Sequence, residues 1–350
     1  MTKRPSVLIS VKIIVTIGLF LFAVRLLGDT THALSPLLRR SFQRVIVGNV
    51  PALGISWLAA YMVASGTIVA ALALSLFDSN LITPTQLFLM IVGSRLGSAA
   101  IIVFIGAFDY INEEVGSLRE SVRLGLLTFL LTHSVYLPAM ALGYVLISVA
   151  FPATSIDESI FPAGLRTPAV LSILTGGILE SVGSGAAFVI AIAALLLSMR
   201  SFDRILKRVN KRKLRARYLS RLSDKWTSFG LGLVVTSLTT SVAFSLGVVV
   251  PLYNRGHINR NEIVPYILGA NIGTLVDTLI IAIALNTSIG ALIVVLLLAT
   301  GLVVTVLCLL LFPTYSRFVD TLQDGVIESD GYVVGFLLSL LILPLLLVFL

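Results

Sequence analysis

Charge is scarce in this chain of 350 residues: 12% are Asp, Glu, Lys or Arg, against 57% hydrophobic. Mean hydropathy is +1.04. A water-soluble chain of this length cannot bury so much apolar surface, so a soluble globular protein is excluded. There are only three histidines and one cysteine. Cys308 therefore has no partner for an intramolecular disulfide or a metal site, and reads as a small core residue. No His/Cys/carboxylate cluster at metal spacing, no Gly-x-Ser-x-Gly and no phosphate-binding P-loop occurs. The expectation is a protein that is not an enzyme and carries no cofactor. Gly/Ser linkers and soluble end domains are also missing, so residues 1–350 read as one integral domain.

What the chain does have is apolar runs of membrane length, about 20 residues. They place spanning helices at about 8–28, 84–107, 123–151, 167–198, 263–285, 289–312 and 331–350. Lys3 and Arg4 precede the first run, but no small-residue cleavage site follows, so that run is expected to remain as a helix. The expected class is an all-α polytopic membrane protein, multi-pass in the cell membrane, with the lipid bilayer as its first partner.

The net charge of +8 is a local property. Eleven Lys/Arg and two Asp lie between Arg200 and Lys225, so this loop carries +9 and the remainder −1. Between two apolar runs, a basic segment marks a cytoplasmic loop rather than a nucleic-acid site. Its apolar positions (Phe202, Ile205, Leu206, Val209, Leu214, Leu219 and Leu222) suggest a helix lying on an anionic leaflet.

Two apolar segments carry the same glycine pair, 176 positions apart. Gly93-Ser94-Arg95-Leu96-Gly97 lies in one and Gly269-Ala270-Asn271-Ile272-Gly273 in the other. At that offset, with no gap, Ile82 meets Ile258, Ser65 meets Ser241 and Gly54 meets Gly230. Glycine-interrupted segments in corresponding places of two halves point to a transporter binding site. The expectation is a helix broken within the membrane at each pair. Two further stretches, about 49–77 and 227–253, carry Gly, Ser and Thr near the middle and end in turn chemistry. Each reads either as one long helix or as a re-entrant hairpin of two short helices.

Counting crossings favours hairpins. With the N-terminus and the 200–225 loop cytoplasmic, the helix at 84–107 runs inward and that at 263–285 outward, and Asp157 and Glu158 lie outside. The repeats are then inverted, at about 8–151 and 167–312, followed by an extra terminal helix at 331–350. Each comprises helix, surface helix, hairpin, broken helix and helix. Arg39, Arg40 and Arg44 fall on the outer side, which requires that segment to lie flat or be buried.

A broken helix leaves N–H groups that favour an anion and C=O groups that favour a cation. Ser65, Thr67, Ser94 and Ser98 in one repeat, and Thr239, Thr240, Ser241 and Thr274 in the other, offer hydroxyls to both, and Asn271 offers a carbonyl and an amide. Gly269-Ala270-Asn271-Ile272-Gly273-Thr274, after Leu238-Thr239-Thr240-Ser241 and Pro251, resembles the second repeat of the type II sodium–phosphate cotransporters and their prokaryotic relatives. Gly18-Leu19-Phe20-Leu21-Phe22, Leu38-Arg39-Arg40 and Gly93–Ser98 resemble the first. The resemblance covers roughly residues 15–310. It implies sodium-driven import of inorganic phosphate by alternating access. Substrate would lie on Ser65, Gly66, Thr67, Arg95, Thr240, Ser241 and Asn271, and sodium on Ser65, Thr239, Ser241, Asn271, Thr274 and Asp277. In the family the hairpin tips carry Gln-Ser-Ser-Ser. Here no glutamine occupies either tip, Arg95 stands where the first motif has Asn, and Asp277 replaces a hydroxyl or small residue. A same-fold carrier of another small oxyanion, proton-driven or uncoupled, and a non-transporting partner subunit stay open.

Arg95 and Asp277 are charges within apolar runs, where an ionised group costs about 3 kcal/mol on insertion scales. Three readings remain: a structural ion pair, Arg95 as an anion ligand, or Arg95 as a fixed charge replacing a sodium ion. Glu180, flanked by Gly176, Gly177, Gly183 and Gly185, is expected to face inward. His133 reads as a satisfied core residue, and Lys12 and Arg25 as snorkelling.

Overall fold

The computed structural model describes residues 4–45, 48–112, 116–150, 169–207, 224–240, 245, 249, 253 and 258–350. Among these, all regular structure is helical. The helices are α1 (Arg4–Val45), α2 (Asn49–Val63), α3 (Gly66–Asp78), α4 (Pro84–Ile111), α5 (Leu118–Ala150) and α6 (Ala169–Lys207). There follow α7 (Lys225–Thr239), α8 (Arg260–Gly273), α9 (Leu275–Ala284), α10 (Ser288–Leu310), α11 (Phe312–Ile327) and α12 (Asp330–Phe349). Seven segments are long and apolar enough to cross a membrane: Val11–Arg39, Pro84–Ile111, Leu118–Val149, Val170–Leu206, Arg260–Ala284, Ser288–Leu310 and Asp330–Phe349. They coincide with the seven runs read from hydropathy.

Two of these spans form the interior. The most apolar stretches of Pro84–Ile111 and Arg260–Ala284 are 72% and 78% buried, against 22% for Val170–Leu206 and 17% for Asp330–Phe349. A lipid-facing helix has no need to cover its apolar surface, so exposure of the outer helices carries no penalty. The inner two bear both glycine pairs.

The chain breaks where 49–77 was expected to break. α2 ends at Val63, Ala64 is left-handed (φ 54°, ψ 32°), and Ser65 caps α3, its Oγ accepting from the Ile68 N–H at 3.4 Å. At 15 and 13 residues, neither α2 nor α3 reaches the length of a crossing. The second repeat reproduces this 176 positions on. α7 also has 15 residues and ends at Thr239, and Thr240 is left-handed (φ 49°, ψ 20°). The arm from 241 to 257 is described only at Ser245, Val249 and Tyr253, all helical. The starts of α4 and α8 match as well. Thr83 and Gln86 form a capping box before α4, as Asn259 and Glu262 do before α8.

The first glycine pair does not break its helix, and there the structure corrects the sequence, whereas the second segment is divided just after Gly273. α4 runs unbroken from Pro84 to Ile111. α8 and α9 meet at Thr274, which stays right-handed (φ −67°, ψ −20°) with its N–H on the Ala270 carbonyl at 3.1 Å. The glycines serve close packing instead. A Cβ on Gly93 would stand 2.5 Å from the Leu53 carbonyl oxygen, and one on Gly97 2.5 Å from that of Trp57. A Cβ on Gly269 would meet the Phe229 carbonyl oxygen at 2.0 Å, and one on Gly273 that of Leu233 at 2.7 Å. Leu53 and Trp57 correspond to Phe229 and Leu233 at the same offset, so α2 on α4 and α7 on α8 are one packing made twice. Without a hydrophobic drive between helices in lipid, such backbone approach is how they adhere.

Other expectations change. Residues 4–45 form one 42-residue helix, with no separate surface helix. Arg39 is exposed, while the side chains of Arg40 and Arg44 lie outside the described residues. Arg25 pairs with Asp29 at 3.2 Å rather than snorkelling alone. Glu180 is exposed, and a Cβ on any of its four flanking glycines meets nothing within 4 Å among the described residues. α11 was not foreseen. It buries Phe312, Tyr315, Ser316, Val319 and Gln323 against the bundle. Most of the basic amphipathic run (208–223), with Asp157 and Glu158, lies outside the described residues.

α5 orders the two repeats along its length. Near its end, the Tyr144 hydroxyl accepts from Asn49 Nδ2 at the start of α2, 3.4 Å away. Gly48 in turn accepts from Gln86 of α4, also at 3.4 Å, so α2 and α4 begin side by side. Near the start of α5, the Arg123 carbonyl accepts from Gln323 Nε2 at 2.6 Å. Gln323 Oε1 accepts from Arg260 of α8 at 2.8 Å, and Arg260 also pairs with Asp320. Lys225 of α7 donates to the Leu309 carbonyl at 2.7 Å, close to where α11 begins.

Candidate functional site

Helix α3 begins against α4. Gly66 is needed there, since a Cβ would stand 2.7 Å from the Ser94 carbonyl oxygen. One residue on, the Thr67 hydroxyl donates to Asp277 Oδ2 of α9 at 2.6 Å. Asp277 Oδ1 accepts from Arg95 Nη2 of α4 at 3.1 Å. Thr278 completes the group: its hydroxyl accepts from Arg95 and donates to Asp277 Oδ1 at 2.9 Å. Arg95 is 5% and Asp277 2% exposed. Helices α3, α4 and α9 thus converge on one ion pair. Removing one partner of such a buried pair costs about 3–5 kcal/mol, because the other charge is left uncompensated.

A second group surrounds Asn271. Its side-chain Oδ1 accepts from Thr132 of α5 at 3.2 Å. Its main-chain oxygen accepts from the Tyr136 hydroxyl at 2.8 Å and from Thr274 at 2.6 Å. Tyr136 is fully buried and lies within Coulombic range of both Arg95 and Asp277, which links the two groups. Thr132, Tyr136 and Thr278 were not singled out in the sequence. Thr128, Thr132 and Tyr136 at intervals of four make a polar stripe on α5, the one signal that pointed there.

Two donors are left over. Among the described residues, neither Arg95 Nε nor Asn271 Nδ2 has a hydrogen-bond partner, and both atoms are buried. Such an N–H costs about 1–3 kcal/mol of desolvation unless something else accepts from it. Arg95 and Asn271 are equivalent positions of the two repeats, 176 apart.

The remaining predicted residues divide. Ser65 Oγ points towards Met199 Sδ of α6 at 3.8 Å. Ser94 and Ser98 turn back to the Ile91 and Arg95 carbonyls of their own helix. Thr239 does the same with Val235, 2.7 Å away, and Thr240 holds the left-handed turn. Ser241 lies outside the described residues. His133 stacks on Phe129 (centroids 3.6 Å apart) and its Nδ1 meets the Phe129 carbonyl at 2.9 Å, but its buried Nε2 has no partner among the described residues, so the expected core histidine is only half satisfied.

Residues 194–313 match the sequence model of the Na+/Pi-cotransporter family. The match takes in the end of α6, then α7 to α10 and the start of α11, so it includes Asn271, Thr274, Asp277 and Thr278. No curated protein and no solved structure matches the chain. A cotransporter family and seven membrane-length helices together support a membrane transporter. The match to this family falls where the motif around Asn271 led us to expect it.

Proposed function

We propose that the chain is a secondary transporter that imports inorganic phosphate with sodium by alternating access. One observation carries this reading: the two unpartnered, buried N–H donors, Arg95 Nε and Asn271 Nδ2, at equivalent positions of the two repeats. Two buried N–H donors, one of them part of a guanidinium, suit an oxyanion, and a charge-assisted contact is roughly twice as strong as a neutral one. Ser65, Gly66 and Thr67 at one tip and Thr240 and Ser241 at the other complete the substrate shell in this reading. Oxygens of Ser65, Thr239, Ser241, Asn271 and Thr274 serve sodium. The Asp277 carboxylate is already engaged by Arg95, Thr67 and Thr278.

The contacts along α5 support an inverted pair of re-entrant hairpins. α2 and α4 begin together beside Tyr144, near the end of α5. α8 begins beside Gln323, which is bonded to Arg123 near the opposite end. Each hairpin then returns to its own side, and the sides differ, which is the arrangement alternating access uses. With the basic 200–225 loop cytoplasmic, α7 and α8 start from the cytoplasmic side of the cell membrane and α2 and α4 from outside.

The test is uptake of labelled phosphate into proteoliposomes, with and without an inward sodium gradient. Stimulation by sodium is the expected result. Sodium-independent uptake would replace the coupling ion, and transport of sulfate in place of phosphate would replace the cargo. Uptake of neither anion would make the chain a partner subunit.

A further inference from the structure

The ion pair between α4 and α9 has the composition of an occupied cation site. Asp277 supplies one carboxylate, and Thr67 and Thr278 supply two hydroxyls, from α3 and α9. The ligand held by this set is the Arg95 guanidinium, bonded to both Asp277 and Thr278. Hard oxygens around a single carboxylate suit a monovalent cation. Asp277 is the one carboxylate among these groups, so there is one negative charge to neutralise. A carboxylate 2% exposed in an apolar span is stable only when paired or protonated.

We infer that Arg95 is a tethered cation: its guanidinium takes, against Asp277, Thr67 and Thr278, the place of one sodium ion. The corresponding position of the second repeat holds Asn271, which is neutral, so the substitution is confined to one half. The inference deepens the transporter reading, and rests on it only in treating sodium as the coupling ion. It makes the Asp277 position independent of external sodium, because a guanidinium tethered to the chain does not exchange with ions in solution. Coupling then falls to the other hydroxyl and carbonyl oxygens, with one fewer sodium ion bound than the ligand set would otherwise hold.

The experiment is sodium binding to the purified full chain in micelles with no phosphate present, choline replacing sodium at constant ionic strength. Sodium dependence of unfolding counts bound ions: above the dissociation constant, each tenfold rise in sodium changes the folded-to-unfolded ratio about tenfold per ion. Arg95→Gln is expected to show one ion more than the wild type, and Arg95→Gln with Asp277→Asn to lose that increment. Asp277→Asn alone is expected to leave the wild-type sodium dependence unchanged. Four results would overturn the inference. They are an unchanged dependence in Arg95→Gln, an increment that survives in the double variant, stabilisation of Arg95→Gln by acid but not by sodium, or a wild-type dependence lowered by Asp277→Asn. If Arg95→Gln unfolds at every sodium concentration while the double variant folds, Asp277 accepts no ion and the inference fails too. Because no phosphate is used, a carrier that moves no phosphate still gives a clear answer.

Discussion

Ala64 and Thr240 stand at equivalent positions of the two repeats, and each ends a 15-residue helix in the left-handed conformation. Neither residue is a glycine, although only glycine adopts that conformation freely. The strain is thus placed at both hairpin tips, beside the residues proposed to bind substrate. Replacing each with Gly should relieve it. Ala64→Gly and Thr240→Gly are expected to raise stability by up to about 1 kcal/mol each, read from thermal unfolding in micelles. Destabilisation by either would show that the side chain, not the turn, is what the tip requires.

The glycine pairs predict an asymmetric response to one added methyl. Gly93→Ala and Gly269→Ala force a Cβ against the backbone of the neighbouring helix, at 2.5 and 2.0 Å. Each should cost about 1–3 kcal/mol. Gly230 corresponds to Gly54, yet a Cβ there meets nothing within 4 Å among the described residues, whereas at Gly54 it meets the Pro344 carbonyl oxygen of α12 at 2.7 Å. Gly230→Ala should therefore be neutral or stabilising by up to about 1 kcal/mol, while Gly54→Ala is not tolerated.

Topology can be read from two exposed side chains 176 positions apart, Val50 in α2 and Trp226 in α7. In a Cys308→Ala background, Val50→Cys and Trp226→Cys should react with an impermeant maleimide from opposite faces of sealed vesicles. Labelling from the same face would remove the inversion.

Asn271→Ala takes away one of the two unpartnered donors and leaves Thr132 still bonded to the Thr128 carbonyl at 2.8 Å. A hydrogen bond to a charged ligand contributes about 1.5–3 kcal/mol, so phosphate affinity should fall roughly ten- to hundredfold with little loss of stability. An unchanged affinity, measured by equilibrium binding, would place the anion elsewhere.

Asp277→Asn should destabilise by about 3–5 kcal/mol, because Arg95 keeps its charge in a buried position. Arg95→Gln combined with Asp277→Asn should recover most of that loss. The cycle of the two single variants and the double variant, read by denaturant unfolding, measures the coupling directly. Additive losses would mean that the contact carries no energy.

Much of the architecture was legible because membrane length, positive charge in loops and a constant sequence offset are one-dimensional signals. The seven spans and, by counting crossings, a break within 49–77 follow from them. The first glycine pair misled for a physical reason: a glycine that ends a helix and one that lets two helices touch have the same letter. Only the neighbour distinguishes them, and at Gly93 and Gly269 the neighbour is the backbone of α2 or α7. α11 escaped notice because Arg317, Asp320 and Asp324, off its buried face, keep its hydropathy below that of a membrane span.

The linear order of residues by itself determined that seven segments are apolar enough to span a membrane and that Arg95 and Asp277 require an explanation, since hydropathy and burial cost depend on local composition alone. Tertiary structure decided that those two charges meet, that Thr67 and Thr278 join them, and that Arg95 Nε and Asn271 Nδ2 are left without partners. Residues 182 positions apart can be brought within 3.1 Å only by the packing of α3, α4 and α9, and no local preference of either segment encodes that approach.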